Sequence, residues 1–217
     1  MKGFAVEYDV KDTRNGVSIV ATCSMQKIPY VIVSDPKNIP EGYTPFGNAL
    51  WIESILDLKI EPNYFPHFTR SLVKRKIWAQ DEWPNNGIHV KPADRYKRYQ
   101  GRMADGNVEV GPHLCSEFVE FENEWRYYIS KGEIISAWWY LGKEEQEAPD
   151  LPIKIPKDWY GTLDIGMTSN GLELVEAHHP YSCGWYGDTY KAEKYLEWLS
   201  DGWLYMLKYK EQKYNLL

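Results

Sequence analysis

The sequence predicts an α+β fold built mainly from antiparallel strands, and three observations carry that reading. Between residues 88 and 178, short runs rich in Val, Ile, Tyr, Phe and Trp follow one another with tight turns between them, as strands joined by hairpins do. Near the C-terminus, residues 189–209 set Tyr195, Leu196, Leu199, Trp203, Met206 and Leu207 on one broad face at helical spacing. Before residue 47, two β-rich runs, Val17-Ser-Ile-Val-Ala and Tyr30-Val-Ile-Val, are broken up by Pro, Asn and Gly, which suggests a small α/β unit.

Taken in order, both N-terminal runs read as strands. Residues 66–83 then carry Phe68, Leu72, Val73, Ile77 and Trp78 with Arg70, Lys74, Arg75 and Lys76 between them, a helical spacing that makes this a basic helix. Pro84-Asn-Asn-Gly87 ends it. The division that follows is a reduced N-terminal α/β unit over residues 1–84, including the basic helix, and a second region over 85–217. Strands are predicted at 88–91, 115–121, 124–129 and 133–140, the last two joined by a Lys131-Gly132 turn, together an antiparallel meander. Residues 143–158, rich in Glu and Pro, read as an exposed crossing loop. Asp188 is the N-cap expected for the last helix.

Composition limits the function. At 217 residues and 43% hydrophobic, the chain can bury one sizeable core or two small ones. A net charge of −6, with no basic block, disfavours general nucleic-acid binding. Cys23, Cys115 and Cys183 are few and widely spaced, so neither a zinc site nor a disulfide framework is indicated, which suits a reducing cytoplasm. The N-terminus has acidic residues where a signal peptide needs an apolar run, and no stretch approaches the ~20 apolar residues of a membrane span. The ten Trp and 17 Tyr are read as packing first.

The chemistry concentrates in Leu163-Asp-Ile-Gly-Met-Thr-Ser-Asn-Gly-Leu-Glu-Leu-Val-Glu-Ala-His178, which reads as a β-hairpin. A three-residue loop at Ser169-Asn170-Gly171, with Gly171 left-handed, pairs Thr168 with Leu172, Gly166 with Leu174 and Asp164 with Glu176. Opposed carboxylates repel unless a Mg²⁺ or Mn²⁺ ion shares them. A two-residue turn would instead shift the register by one and put them on opposite faces. His178 shares a face with Glu176 and is a third ligand, a proton-transfer group or a plain structural histidine. Lys91, stopped by Pro92, presents its ammonium at a strand tip, either to a phosphate or to water. Beyond it, Asp94-Arg-Tyr-Lys-Arg-Tyr-Gln-Gly101-Arg is a basic loop able to cover a polyanion, or simply a solvated one. Glu124 and Arg126 share a strand face, where Arg126 either balances the carboxylates or takes a phosphate. Pro180-Tyr-Ser-Cys-Gly-Trp-Tyr-Gly-Asp188 has two glycines that let backbone approach a ligand, or turn tightly into the helix.

The order of these pieces resembles the ATP-grasp superfamily from about residue 87 to 187, and most of all a short clade found in phage and bacterial genomes. Val90-Lys91-Pro92 is similar to the strand whose lysine binds ATP phosphates. Ser116-Glu-Phe-Val-Glu120 resembles the hinge whose backbone, here at Glu117, Phe118, Val119 and Glu120, reads adenine while an acid holds the ribose; Glu117 is the first choice for that acid, with Glu120 and Glu124 behind it. Glu124 to Glu133 resembles the strand–turn–strand carrying a phosphate-side arginine, Arg126. Lys97-Arg-Tyr-Gln-Gly101 is similar to the clade's basic loop, and Arg75 to the basic residues typical near the end of its preceding helix, which places Arg126, Lys97 and Arg75 among the catalytic residues. Asp164 and Glu176 resemble the pair that holds the metal ions. The family's Glu-x-Asn reads Glu176-Ala-His178 here, so His178 either favours Mn²⁺ or does not ligate.

The resemblance implies an ATP-grasp fold, in which two α+β subdomains with antiparallel sheets sandwich ATP across residues 85–217, preceded by the reduced α/β unit. It implies Mg-ATP as cofactor, with Mn²⁺ as the alternative ion. The implied activity is a carboxylate–amine ligase that joins a small carboxylate or peptide acceptor to an amine donor through an acylphosphate. Phosphoryl transfer to a hydroxyl and a non-catalytic nucleotide-binding or interaction module are the alternatives.

Overall fold

The computed structural model describes residues 1–96, 98–181 and 183–214, and among these it has three sheets. The first is parallel, with β1 (Gly3–Glu7) between β2 (Tyr30–Val33) and β3 (Tyr43–Phe46). β1 is wholly buried, as a central parallel strand must be. The crossover from β1 to β2 is α1 (Arg14–Gln26), whose N-cap Thr13 accepts from Gly16 N at 3.2 Å and which ends at Lys27 with a φ of 55°. Val17-Ser-Ile-Val-Ala, expected as a strand, is the middle of this helix. Ser18, Ile19, Thr22 and Cys23 form its buried face, a helical repeat that wins over the β-propensity of a short Val/Ile run. A second helix, α2 (Ala49–Leu56), follows β3, capped by Asn48.

The expected basic helix over residues 66–83 is absent. A 3₁₀ turn at His67–Leu72 is followed by extended chain and then by β4 (Ile77–Gln80). The apolar residues face two different cores: Phe65, Phe68, Leu72 and Val73 join one, while Trp78 joins another. Their spacing therefore does not report a single helical face. β4 pairs antiparallel with β7 (His113–Ser116), β7 with β5 (His89–Pro92), and β5 with β6 (Arg102–Met103). The N-terminal 84 residues thus lend a strand to the second sheet.

The third sheet runs in the order β11–β10–β8–β9, with β8 (Asn123–Ser130), β9 (Glu133–Gly142), β10 (Gly161–Thr168) and β11 (Gly171–His178) all antiparallel. The meander is therefore split. The strand expected over 115–121 stops at Ser116, and residues 117–122 cross from the second sheet to the third. Residues 143–158 form no regular element, yet they strap one face of the third sheet rather than standing clear of it. Leu151, Ile153 and Ile155 pack on its core, and Tyr127 Oη donates to Pro149 O at 2.6 Å.

The last helix, α3 (Glu193–Tyr214), starts later than expected. Asp188 is not its cap; its Oδ1 accepts from Tyr190 N in the preceding turn. Tyr195, Leu196, Trp198 and Leu199 of α3 share one core with Phe4, Val6, Ile19, Phe46 and Tyr128. The N-terminal sheet and the third sheet are therefore built on the same helix. No described helix is long and apolar enough to cross a membrane.

Candidate functional site

Asp164 does face Glu176, by a route different from the one expected. Gly171 has the expected positive φ, 91°, but the turn is the two residues Ser169-Asn170, and Thr168 pairs with Gly171. Continued unbroken, that register would set Asp164 against Val175. A bulge intervenes between the Ile165–Leu174 and Asp164–Glu176 pairs. Val175 is the extra residue, and the shift of one returns both carboxylates to the same face.

On its other side Asp164 pairs with Arg126 of β8. The guanidinium grips it with both arms, Nε to Oδ1 at 2.7 Å and Nη2 to Oδ2 at 2.6 Å, and both groups are buried. Burial alone would lower the Arg126 pKa, but Asp164 outweighs it and holds the guanidinium well above its usual value. Glu176 accepts from Lys91 Nζ at 2.7 Å and lies 2.9 Å from His178 Nε2, which is 3.8 Å from Asp164 Oδ2. Burial pushes the Glu176 carboxyl up, but His178 and Lys91 outweigh it and hold it well below the usual carboxylate range. The Lys91 ammonium is pushed down by burial, only partly opposed by Glu176. It also rests 4.0 Å from the centre of the Tyr64 ring, a cation–π contact.

Donor atoms of Asp164, Glu176 and His178 all lie within 4.8 Å of one another. Two carboxylates and an imidazole make a donor set that fits a divalent ion, the imidazole tilting it toward Mn²⁺. Of the trio, Glu176 lines a cavity of about 330 Å³ between the second and third sheets, whose wall also includes Arg75, Lys91, Glu117 and Glu124 with Phe118 and Val119. Within it, Glu124 accepts from Tyr140 Oη at 2.5 Å; burial raises its carboxyl although that bond works the other way. Glu117 is engaged locally: its Oε2 accepts from Lys76 N at 2.9 Å and its own N donates to Lys76 O at 3.1 Å. Phe118 is 60% exposed at the cavity rim.

The other expected residues sit elsewhere. Glu120 lines a separate hollow with Glu122 and Lys143. Arg126 and Asp164 lie behind the cavity rather than on its wall, and His178 borders a small second hollow with Arg95 and Tyr181. Lys97 lies outside the described residues. Sequence reasoning missed Tyr140, Tyr64, Phe65 and His89. His89 was within reach, since period two puts it on the Lys91 side of β5. Tyr64 and Phe65 come from an irregular segment with no pattern to read.

Two expected outcomes arise here. A Cβ on Gly166 would stand 2.1 Å from Phe121 Cδ1, and Phe121 walls the cavity beside Arg75. Gly166→Ala should therefore cost ~1–3 kcal/mol of stability by overpacking, read as a lower denaturant midpoint. His113, fully buried with its Nδ1 2.7 Å from Tyr99 Oη, has its pKa lowered by burial and by nearby Arg98. Below about 6.5 the unfolded chain binds this proton more readily than the native one. Stability should thus fall as pH drops through and below that value, and His113→Gln should flatten that part of the stability–pH curve.

Residues 68–197, more than half the chain, match the family described as "ATP-grasp domain, R2K clade family 2". No curated protein sequence matches the chain. In fold, the chain is similar to a D-alanine–D-alanine ligase from Bacillus anthracis, with a TM-score of 0.51 at 8% identity over 98% of this chain and 100% of that one. It is equally similar to a RimK-domain ATP-grasp protein from Sphaerobacter thermophilus, with a TM-score of 0.50 at 8% identity over 93% and 99%. With the family model covering more than half of its length, the chain belongs to the R2K clade of the ATP-grasp superfamily.

Proposed function

We propose that the protein is an ATP-dependent carboxylate–amine ligase. The observation that carries this reading is the border of the cleft, where Lys91 and Arg126 hold Glu176 and Asp164 beside a cavity walled by the 117–119 hinge. In the proposed mode adenine lies against the backbone of Glu117, Phe118 and Val119. Glu124 is the acid left for the ribose, because Glu117 is tied to Lys76. Lys91 turns from Glu176 to the phosphates, with Arg126 and Lys97 as the further cations of the phosphate side; Arg75, engaged by Glu173, Leu174 and Val175, is not among them. Asp164 and Glu176, with His178 beside them, would hold a divalent ion, which would supply charge neutralisation on the phosphate side.

The acceptor carboxylate attacks the γ-phosphorus, breaking its bond to the β,γ-bridging oxygen and releasing ADP to give an acylphosphate; the amine donor then attacks the acyl carbon, and inorganic phosphate and a proton leave to give an amide. No side chain need act as a nucleophile; the protein positions the reactants and stabilises charge. The proposed acceptor is a small carboxylate or a peptide.

Calorimetric titration of ATP with Mg²⁺, and then with Mn²⁺, into the parent and the Glu176→Ala chain tests the site before any acceptor is known. Metal-dependent binding that Glu176→Ala abolishes is the expected result. Parent protein that binds no ATP with either ion would overturn the reading. Product analysis then separates ligation from phosphoryl transfer, since only ligation leaves an amide.

A further inference from the structure

Val73-Lys-Arg-Lys76 carries three cations in a row, and their surroundings differ. Lys74 reaches Asn170 O at the hairpin turn, and Lys76 lies over the Trp78 ring. Arg75 is buried, its side chain 7% exposed. A buried guanidinium persists only where its donors are satisfied. Those partners are all on β11: Nη1 donates to Glu173 Oε1 at 2.7 Å and to Leu174 O at 2.8 Å, and Nη2 donates to Val175 O at 3.0 Å. The Arg75 backbone N also donates to Glu173 Oε1, at 3.2 Å. Phe65 and Phe121 lie within 6 Å of the guanidinium, at 5.6 and 5.7 Å.

Leu174 and Val175 are the residues at which the β10–β11 ladder slips by one. Among the described residues β11 is an edge strand, so no neighbouring strand there holds the bulge in place from its outer side. Carried on from the Thr168–Gly171 pair without the bulge, the ladder would set Val175 against Asp164 and Glu176 against Leu163, on the apolar face. The bulge is thus what puts Glu176 opposite Asp164, and one side chain holds both of its carbonyls.

We propose that Arg75 is a positioning residue: its guanidinium clamps the Val175 bulge and so fixes the register that brings Glu176 to Asp164. The bearing on metal rests on the proposed function; the bearing on register does not. Lysine cannot replace it, because a single ammonium lacks the planar fork that spans two successive carbonyls and a carboxylate.

The test uses the full chain with Glu173→Gln as background, so that removing Arg75 leaves no buried carboxylate unpaired. Register is read without ligand from cross-strand nuclear Overhauser contacts of Asp164. The background should show contact with Glu176, and adding Arg75→Gln should replace it with contact to Val175. An unchanged register would overturn the proposal. Mn²⁺ affinity in the presence of ADP, read by electron paramagnetic resonance, should fall about 10–100-fold, the usual cost of losing a group that orients a ligand. ATP affinity without metal should stay near the background value. An equal fall in both would make Arg75 a direct phosphate ligand and overturn the proposal.

Deletion of Val175 removes the extra residue and leaves a straight ladder in which the same Glu already opposes Asp164. In that chain Arg75→Gln should fold and should change Mn²⁺ affinity by less than about threefold. A tenfold loss there, or failure to fold, would overturn the clamp even where Arg75→Gln alone does not fold. Parent protein that binds no Mn²⁺ with ADP would defeat the ligase reading, while the Asp164 contacts would still decide the role of Arg75.

Discussion

Alanine at Glu176 should lower ATP turnover by about 100-fold or more, the scale of ~3 kcal/mol seen when one preorganised electrostatic stabiliser is removed. Glu176 projects into the cavity and is held as a carboxylate by His178 and Lys91, so its loss removes charge where the phosphates are proposed to lie. The fold should survive: Lys91 loses its partner but keeps its contact with the Tyr64 ring. Asp164→Ala should match the loss of turnover with a larger structural penalty, because it strands buried Arg126. The measurement is ADP release under saturating ATP and metal, with folded state checked by circular dichroism. A Glu176→Ala chain that releases ADP at the parent rate would remove Glu176 from the chemistry.

Arg126→Met should have the largest effect on stability. The pair it makes with Asp164 is fully buried and bidentate. Breaking such a pair from one side leaves a charge without a partner and costs ~3–5 kcal/mol. Removing both charges, as in Arg126→Met with Asp164→Leu, should recover most of that loss, since a buried ion pair gains little over apolar groups of similar size. Urea denaturation of the two single variants, the double variant and the parent gives the coupling directly. Additive losses would mean that the pair contributes no mutual stabilisation. The double variant should still fail to turn over ATP, which separates the structural from the chemical part of this pair.

The cleft was legible where side chains alternate on strands. Glu124 and Arg126 on one face of β8 and Lys91 at the end of β5 follow from period two, whereas the Asp164–Glu176 opposition was reached by the wrong route. The opposition emerged from two departures that offset each other, a shorter turn and a bulge, and no local propensity announces a bulge at Val175. The errors fall where apolar residues serve two masters. In 66–83 they face separate cores, and in Val17–Ala21 a β-branched run was turned into helix by the core it meets. Glu117 looked available as the ribose acid because the sequence cannot show that the Lys76 backbone takes its carboxylate. Tyr140 was read only as part of a strand, and its bond to Glu124 depends on the bulged β8–β9 register.

The pairing of Lys91 with Glu176 and Arg126 with Asp164 has a thermodynamic consequence. The protein carries its own counterions, so its two carboxylates offer little net field to a free divalent ion, which must displace an ammonium or a guanidinium to enter. In the proposed binding mode triphosphate would offer those two cations another anion, and each phosphate contact they made would unmask a carboxylate. Metal and nucleotide should therefore bind with positive linkage, each raising the affinity of the other by the same factor. The protein should ignore physiological Mg²⁺ until nucleotide arrives.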